Sequence, residues 1–371
     1  MLKLKAIRGS MLTGGVAILL RPLNLIVNVV LLRLLEPSDF GTVALAMLLL
    51  TSSALFSGLG MGAAIVHTEL DRHKAAFHSF VVTFCSGLLL YLVVLLNAQF
   101  FADLLGSGQI VMVIRWLSIV ILLDALTIVP EGLLSKDLQF ERLSVVTLVS
   151  ELLNIVLSLM LAFTGYGVWS LVYARMSAAI ARTVLTWLLC PGQEWLRPVH
   201  WQWSVAKSLL QYGVHSTASG IVSYLHTYWD DWLVGRWFGV TALGYYNRAY
   251  ELSNKMLASI SGVMINSVFF PLYVQIRDDV AGLTRIYIKS YRVVLLLMAP
   301  IAMGMFIVAP ELVYVLLGEK WEPLIGLLQI YSIMVLTRPI STNTAPLFMA
   351  LGRPDYNTRA GLLLLGVMVG G

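Results

Sequence analysis

The amino-acid sequence predicts an all-α polytopic membrane protein made of two pseudo-repeated helical bundles, and three observations predict it. Composition is the first: 58% of the 371 residues are hydrophobic and only 12% are charged. With a mean hydropathy of +0.83, the chain carries more apolar surface than a water-soluble domain keeps from solvent. The second is that mostly apolar runs of about eighteen residues or more recur along the whole length, as helices crossing a hydrocarbon core of roughly 30 Å require. The short alternating strands of an outer-membrane barrel do not fit them. The third is an internal repeat, in which two loop sequences return in the same order.

The first span, 11–34, carries Arg21-Pro22 and no small-residue cleavage site, so it is a retained helix and not a cleavable signal. The second, 40–66, contains the small-residue run Ser57 to Ala64, which lets helix backbones approach closely and implies no phosphate loop. Spans 76–98, 109–134, 143–164 and 167–190 complete a first lobe, residues 1–190. The joint at 191–206 holds prolines and tryptophans; a chain lying at headgroup level and an ordinary loop both fit it. Spans 207–235, 242–275, 287–310, 322–350 and 356 to the end then form a second lobe, residues 207–371. That makes eleven, and because the last carries no polar tail the expected form is one truncated from twelve or more.

Charge orients the spans. One set of alternate loops gathers the N-terminal Lys3, Lys5 and Arg8 with Arg72, Lys74, Lys136, Arg142, Arg197, Lys207, Arg277, Arg285, Lys289, Arg292, Arg353 and Arg359, while the other set holds Arg33, Arg236 and Lys320. This asymmetry predicts a cytoplasmic N-terminus. Trp169, Trp229, Trp232, Trp237 and Trp321 fall at the opposite interface from Trp187, Trp195, Trp201 and Trp203, as aromatic belts do. The formal net charge of +5 is therefore a topology signal and not a nucleic-acid footprint. Cys85 and Cys190 lie toward the cytoplasmic ends of spans, where packing is their expected role.

The repeat sets RLLEPSDFG, Arg33 to Gly41, beside RWFGVTALG, Arg236 to Gly244. A second pair follows in the same order: Leu105-Gly106 and Ser118-Ile119 match Leu317-Gly318 and Ser332-Ile333. Both matches fall after an odd-numbered span, so the two bundles have the same sense across the membrane. Parallel repeats with a substrate site between them near the midplane are a transporter architecture.

Several charges lie where lipid penalises them, at roughly 2.5–3.5 kcal/mol each on insertion scales. They are Arg21, Glu151, Arg175, Arg182, Arg248, Glu251, Lys255 and Arg338. Arg175 and Arg182 stand two helical turns apart on one face, and Arg248, Glu251 and Lys255 follow the three-and-four spacing of stacked neighbours. Cations outnumber acids in this set. A hydrated cavity for an anionic substrate tolerates such a surplus, whereas structural pairing tends toward balance. For Arg21, Arg175 and Arg182, three readings stand: a substrate-facing role, interhelical pairing, and snorkelling to the interface. Arg248, Lys255 and Arg338 join them as candidate substrate-binding residues.

Asp231 precedes Arg236 by the interval at which Asn28 precedes Arg33, so polar residues occupy corresponding places in the two halves. Asp230 and Asp231 differ by about 100° around a helix. One of them is expected to line the cavity, pairing with a base such as Arg248 or binding a coupling cation, with Glu251 and Asn28 as further candidates. The alternative places both carboxylates near the outer water layer. His67, His73 and His78 lack the spacing of a metal-ligand pair. With no nucleotide motif, no Ser-His-Asp order and no room for an ATPase domain, the expectation is a protein that is not an enzyme and needs no cofactor or metal.

Together, Leu31 to Leu45, Phe56 to His67, Asp230 to Leu252 and Leu317 to Ile333 resemble the polysaccharide transporter, or oligosaccharide flippase, family of the multidrug/oligosaccharidyl-lipid/polysaccharide (MOP) exporter superfamily. The resemblance runs over nearly the whole chain; its recurrent motif is matched here by Asp230, Asp231, Arg236, Asn247, Arg248 and Tyr250, while His67 stands where relatives often carry an amide. It implies a V-shaped, two-lobed transporter with a cationic central cavity in the bacterial inner membrane. The implied function is flipping of undecaprenyl-pyrophosphate-linked oligosaccharide units for cell-surface polysaccharide, by alternating access. Implied partners are that lipid-linked substrate, membrane lipids, and polysaccharide polymerase and assembly proteins, with no nucleic acid. An ion-coupled small-molecule exporter of the same superfamily and a non-transporting scaffold of a polysaccharide assembly complex are the alternatives.

Overall fold

The computed structural model of the chain describes residues 2–192, 195, 197–255, 265–353, 356, 359–361, 363 and 366. Among them there is no strand. The chain divides into two compact units, Met1–Thr241 and Ala242–Gly371.

The first unit opens with α1 (Leu2–Leu34), which contains Pro22, and α2 (Pro37–Gly58). Helix α2 starts on a reciprocal cap: the Glu36 N–H donates to the Asp39 carboxylate at 3.0 Å, and the Glu36 side chain accepts from the backbone at Asp39. After α3 (Met61–His67) come α4 (Arg72–Leu96), α5 (Ala98–Leu104), a 3₁₀ turn at Gly108–Ile110, α6 (Val111–Leu117), α7 (Ile119–Lys136), α8 (Phe140–Phe163), α9 (Val168–Leu189) and α10 (Trp203–Tyr250). Helix α8 packs on α9 and on α1, α7 packs on α3, α4 and α9, and α2 packs on α4.

The expected single span 40–66 is two helices. Leu59 (φ 41°) and Gly60 (φ 66°) are left-handed, and this break sets Gly60 against Gly213 of α10. A Cβ on Gly60 would lie 2.3 Å from the Gly213 carbonyl oxygen, and one on Gly213 would lie 2.1 Å from the Leu59 carbonyl oxygen. Glycines here therefore allow both a positive φ and backbone-to-backbone approach. At the other end of α3, Lys136 Nζ donates to Ile65 O at 3.1 Å and to Thr68 O, just past the helix, at 2.7 Å.

Part of the 191–206 joint packs on the first unit. Trp195 is buried against Trp187 and Phe80. The Gln202 N–H donates to His78 Nε2 at 2.9 Å, so His78 Nδ1 carries the proton that reaches Lys74 O at 2.7 Å. Residues 193, 194 and 196 lie outside the described residues. Farther on, α10 is interrupted at Gly239 (φ 85°, ψ 175°), in the connection expected between spans 207–235 and 242–275.

In the second unit a π-helical turn, Glu251–Lys255, follows α10, and another, Ile265–Phe269, leads into α11 (Phe270–Gln275). The part of the 242–275 span at 256–264, and most of the span expected from 356, lie outside the described residues. Helix α12 (Val280–Leu312) packs on α13 (Leu324–Met334) and on α14 (Arg338–Ala350). The expected span 322–350 is thus interrupted, by a 3₁₀ turn at Val335–Thr337 that precedes the Arg338-Pro339 pair; a proline lacks an N–H and disfavours helix in the residue before it. Tyr273, Ser290 and Asn343, all buried, close a triangle between α11, α12 and α14. Tyr273 Oη lies 2.6 Å from Ser290 Oγ and donates to Asn343 Oδ1 at 2.8 Å, while Asn343 Nδ2 donates to Ser290 Oγ at 2.6 Å.

The repeated loops have the same local form. Gly106 (φ 76°) and Gly318 (φ 98°) each precede a 3₁₀ turn and then a short helix, and Ser118 and Ser332 are each buried with the hydroxyl returned to a backbone carbonyl of the turn before. Among the described residues five helical stretches are long and apolar enough to cross a membrane: Pro37–Gly58, Arg72–Leu96, Val111–Lys136, Phe140–Phe163 and Val280–Leu317. Large apolar side chains such as Leu89, Leu96, Met160, Phe163, Leu188 and Leu296 stand exposed along the helices. That is the surface of a multi-pass membrane protein, with lipid as solvent.

Candidate functional site

Helix α7 has a proline at position 130, which supplies no N–H to the carbonyl four residues earlier. Trp187 of α9 fills that place, its Nε1 donating to Leu126 O at 3.1 Å. One turn back along α9, Thr183 Oγ1 donates to Leu123 O at 3.3 Å. These two bonds join α7 to α9, and charged groups gather along the same seam.

Arg182 of α9 forms a two-pronged bond with Glu131 of α7: Nε donates to Oε1 at 2.7 Å and Nη2 to Oε2 at 2.8 Å. Asp124 of α7 lies within electrostatic reach of Arg175, Arg182 and Glu131, and Glu151 of α8 acts on the Arg182 charge. Arg175 is half-buried, and its Nε has no hydrogen-bond partner among the described residues. Five ionisable side chains from three helices thus share one region of the first unit. The Arg182 side chain is exposed, so its pair is partly screened, whereas Asp124 is more buried and its charge interactions are stronger.

Asp124 and Glu131 stand outside the set of residues that sequence position singled out. Counting them removes the excess of cations on this seam, which carries three carboxylates and two guanidiniums. A signal was present: the carboxylates are as far apart on α7 as Arg175 and Arg182 are on α9. The arrangement divides the labour between the arginines. Arg182 is held by Glu131, whereas the Arg175 guanidinium, a planar group of the kind that pairs with phosphate, has no hydrogen bond or ion pair among the described residues.

The other candidates are placed as follows. Arg21 is exposed on α1, the helix that packs along α8, and no hydrogen bond or ion pair engages it among the described residues. Asn28 is half-buried. Asp231 is buried and Asp230 half-buried on α10. The Asp231 charge reaches Tyr224, whose hydroxyl donates to Leu48 O of α2 at 2.7 Å and accepts from Trp232 Nε1 at 3.0 Å. Asp231 therefore belongs to the contact of α10 with α2. In the second unit Arg248 is ion-paired with Glu251 one turn later. The side chains of Lys255 and Arg338 lie outside the described ones.

A helical membrane fold with interrupted spans and ionisable groups between its helices defines a polytopic membrane protein. The family described as "Polysaccharide biosynthesis protein" matches residues 30–326, and the chain belongs to it. It is similar to the lipopolysaccharide biosynthesis protein WzxC of Escherichia coli (strain K12), 23% identical over all of this chain and 76% of that protein. Its fold is that of MOP superfamily transporters. The inward closed conformation of the lipid II flippase MurJ superposes with a TM-score of 0.74 at 13% identity, over 97% of this chain and 79% of that one. The inward-facing conformation of a multidrug resistance MATE transporter of the MOP superfamily superposes with a TM-score of 0.70 at 16% identity, over 92% and 83%.

Proposed function

We propose that the protein is a flippase that carries undecaprenyl-pyrophosphate-linked oligosaccharide units across the bacterial inner membrane, for cell-surface polysaccharide, by alternating access. The half-buried Arg175 guanidinium, which has no hydrogen bond or ion pair among the described residues and stands beside a filled Arg182–Glu131 pair, is the observation that carries this reading. A pyrophosphate supplies the complementary charge and acceptors. Family membership, and similarity to a lipopolysaccharide biosynthesis protein, support the substrate class, and the fold shared with a lipid II flippase accords with it. In this reading the N-terminus is cytoplasmic, residues 1–190 and 207–371 are the two lobes, 191–206 joins them, and eleven spans are present. Arg21, Arg248, Lys255 and Arg338 contribute further positive charge to the substrate path; Asn28, Asp230, Asp231 and Glu251 serve the cavity or ion coupling. Polymerase and assembly proteins receive the flipped unit.

The test is reconstitution of the chain into vesicles and measurement of transbilayer movement of a polyprenyl-pyrophosphate-linked oligosaccharide. Flipping above protein-free vesicles is expected. No movement of this lipid, with the protein folded, would remove the reading. A second reading, an ion-coupled small-molecule exporter, draws on the Asp124 and Glu131 carboxylates in α7. It predicts extrusion of cationic compounds under a proton or sodium gradient, which the same vesicles can report.

A further inference from the structure

From Val280 to Pro310, α12 contains three basic residues and no acidic one. Arg285, Lys289 and Arg292 are all exposed, and no hydrogen bond or ion pair engages them among the described residues. At about 100° per residue they share one face of the helix, within about 60° of arc. The same face continues along the axis as Leu296, Met303 and Ile307, all exposed, while the opposite side, with Leu283, Ser290, Val294 and Met298, is buried. From Arg292 to Ile307 the apolar part runs about 22 Å at the helical rise of 1.5 Å per residue.

One helix face therefore presents a run of cations leading into a long apolar track. We infer that this face binds anionic phospholipid, with the headgroup phosphate on Arg285, Lys289 and Arg292 and the acyl chain along Leu296, Met303 and Ile307. Charge complementarity selects the headgroup: three guanidinium or ammonium groups with no carboxylate between them attract a headgroup of net negative charge more strongly than a zwitterion, whose own cation offsets its phosphate. The shape selects a membrane lipid over a glycan-bearing one. Tyr287 and Tyr291 point around toward the other side of the helix, at about 200° and 240° from Arg285, so the basic turns offer no aromatic platform for sugars.

Native mass spectrometry of the purified chain, titrated with phosphatidylglycerol and separately with phosphatidylcholine of the same acyl chains, tests the assignment. The wild-type chain should prefer phosphatidylglycerol, and high salt should erase that preference. Neutralising all three in R285Q/K289Q/R292Q should lower phosphatidylglycerol affinity by tenfold or more, from roughly fivefold per cation, and leave phosphatidylcholine unchanged; R285K/R292K should retain the wild-type preference. Equal binding of the two lipids by the wild type would overturn the inference, as would a salt-insensitive preference or a folded triple variant with undiminished affinity. So would displacement of phosphatidylglycerol from wild type, but not from the triple variant, by equimolar polyprenyl pyrophosphate, since the face would then belong to the transported lipid.

Discussion

Glu131 accepts both donors that Arg182 extends across the seam between α7 and α9, at 2.7 and 2.8 Å. Each partner's charge is compensated by the other, so the pair is a structural element of the first unit. Arg182→Ala should lower stability by about 0.5–1 kcal/mol, because the arginine of this pair is exposed and partly screened. Exchanging the charges in Arg182→Glu with Glu131→Arg should recover part of the loss. Thermal unfolding in detergent of the single variants and the exchange reads both.

The Tyr273–Ser290–Asn343 triangle is buried and internally satisfied. Asn343→Leu takes away the acceptor of the Tyr273 hydroxyl, while Ser290 keeps its bond to Tyr287 O, and should cost about 1–3 kcal/mol. Adding Tyr273→Phe should restore part of that, because one stranded hydroxyl is then removed. Midpoints of thermal unfolding for the single and double variants check the sign of the coupling.

Gly87 of α4 faces Ala125 of α7 so closely that a Cβ on it would lie 2.4 Å from the Ala125 Cβ. Gly87→Ala should therefore destabilise the α4–α7 crossing by about 1–3 kcal/mol through overpacking. The compensating Ala125→Gly should relieve most of it. Failure of that double variant to recover stability would place the strain elsewhere.

Pro310 of α12 leaves the Phe306 carbonyl without its usual partner, and Gln329 Nε2 of α13 donates to it at 3.2 Å. Trp187 does the same for Leu126 below Pro130. Gln329→Leu should cost about 1 kcal/mol, and less in a Pro310→Ala background, where the helix supplies its own N–H. A double-mutant cycle on unfolding free energy measures the difference.

Much of the fold was legible because hydropathy, prolines and loop charge act locally. The runs at 76–98, 143–164 and 167–190 became α4, α8 and α9 with ends shifted by a few residues. The break at Leu59-Gly60 was not legible, since the small residues around it announce close approach but not the distant Gly213 that receives it. The seam was half legible. Arg175 and Arg182 stand out by charge, yet Asp124 and Glu131 sit in an apolar run where the expected lone cations drew attention away from their partners. Pairing between helices depends on which faces meet, and one sequence does not give that.

The most direct measurement is the flipping rate of polyprenyl-pyrophosphate-linked oligosaccharide in vesicles holding wild type, Arg175→Ala, Arg175→Lys and Arg21→Ala at equal folded amounts. With the unpaired Arg175 guanidinium serving the pyrophosphate, Arg175→Ala should slow flipping about tenfold or more, the loss expected of roughly 1.4 kcal/mol or above from a charged hydrogen bond. Arg175→Lys should recover only part of the rate, because a point charge does not reproduce the planar fork. Flipping by Arg175→Ala at the wild-type rate would contradict the account.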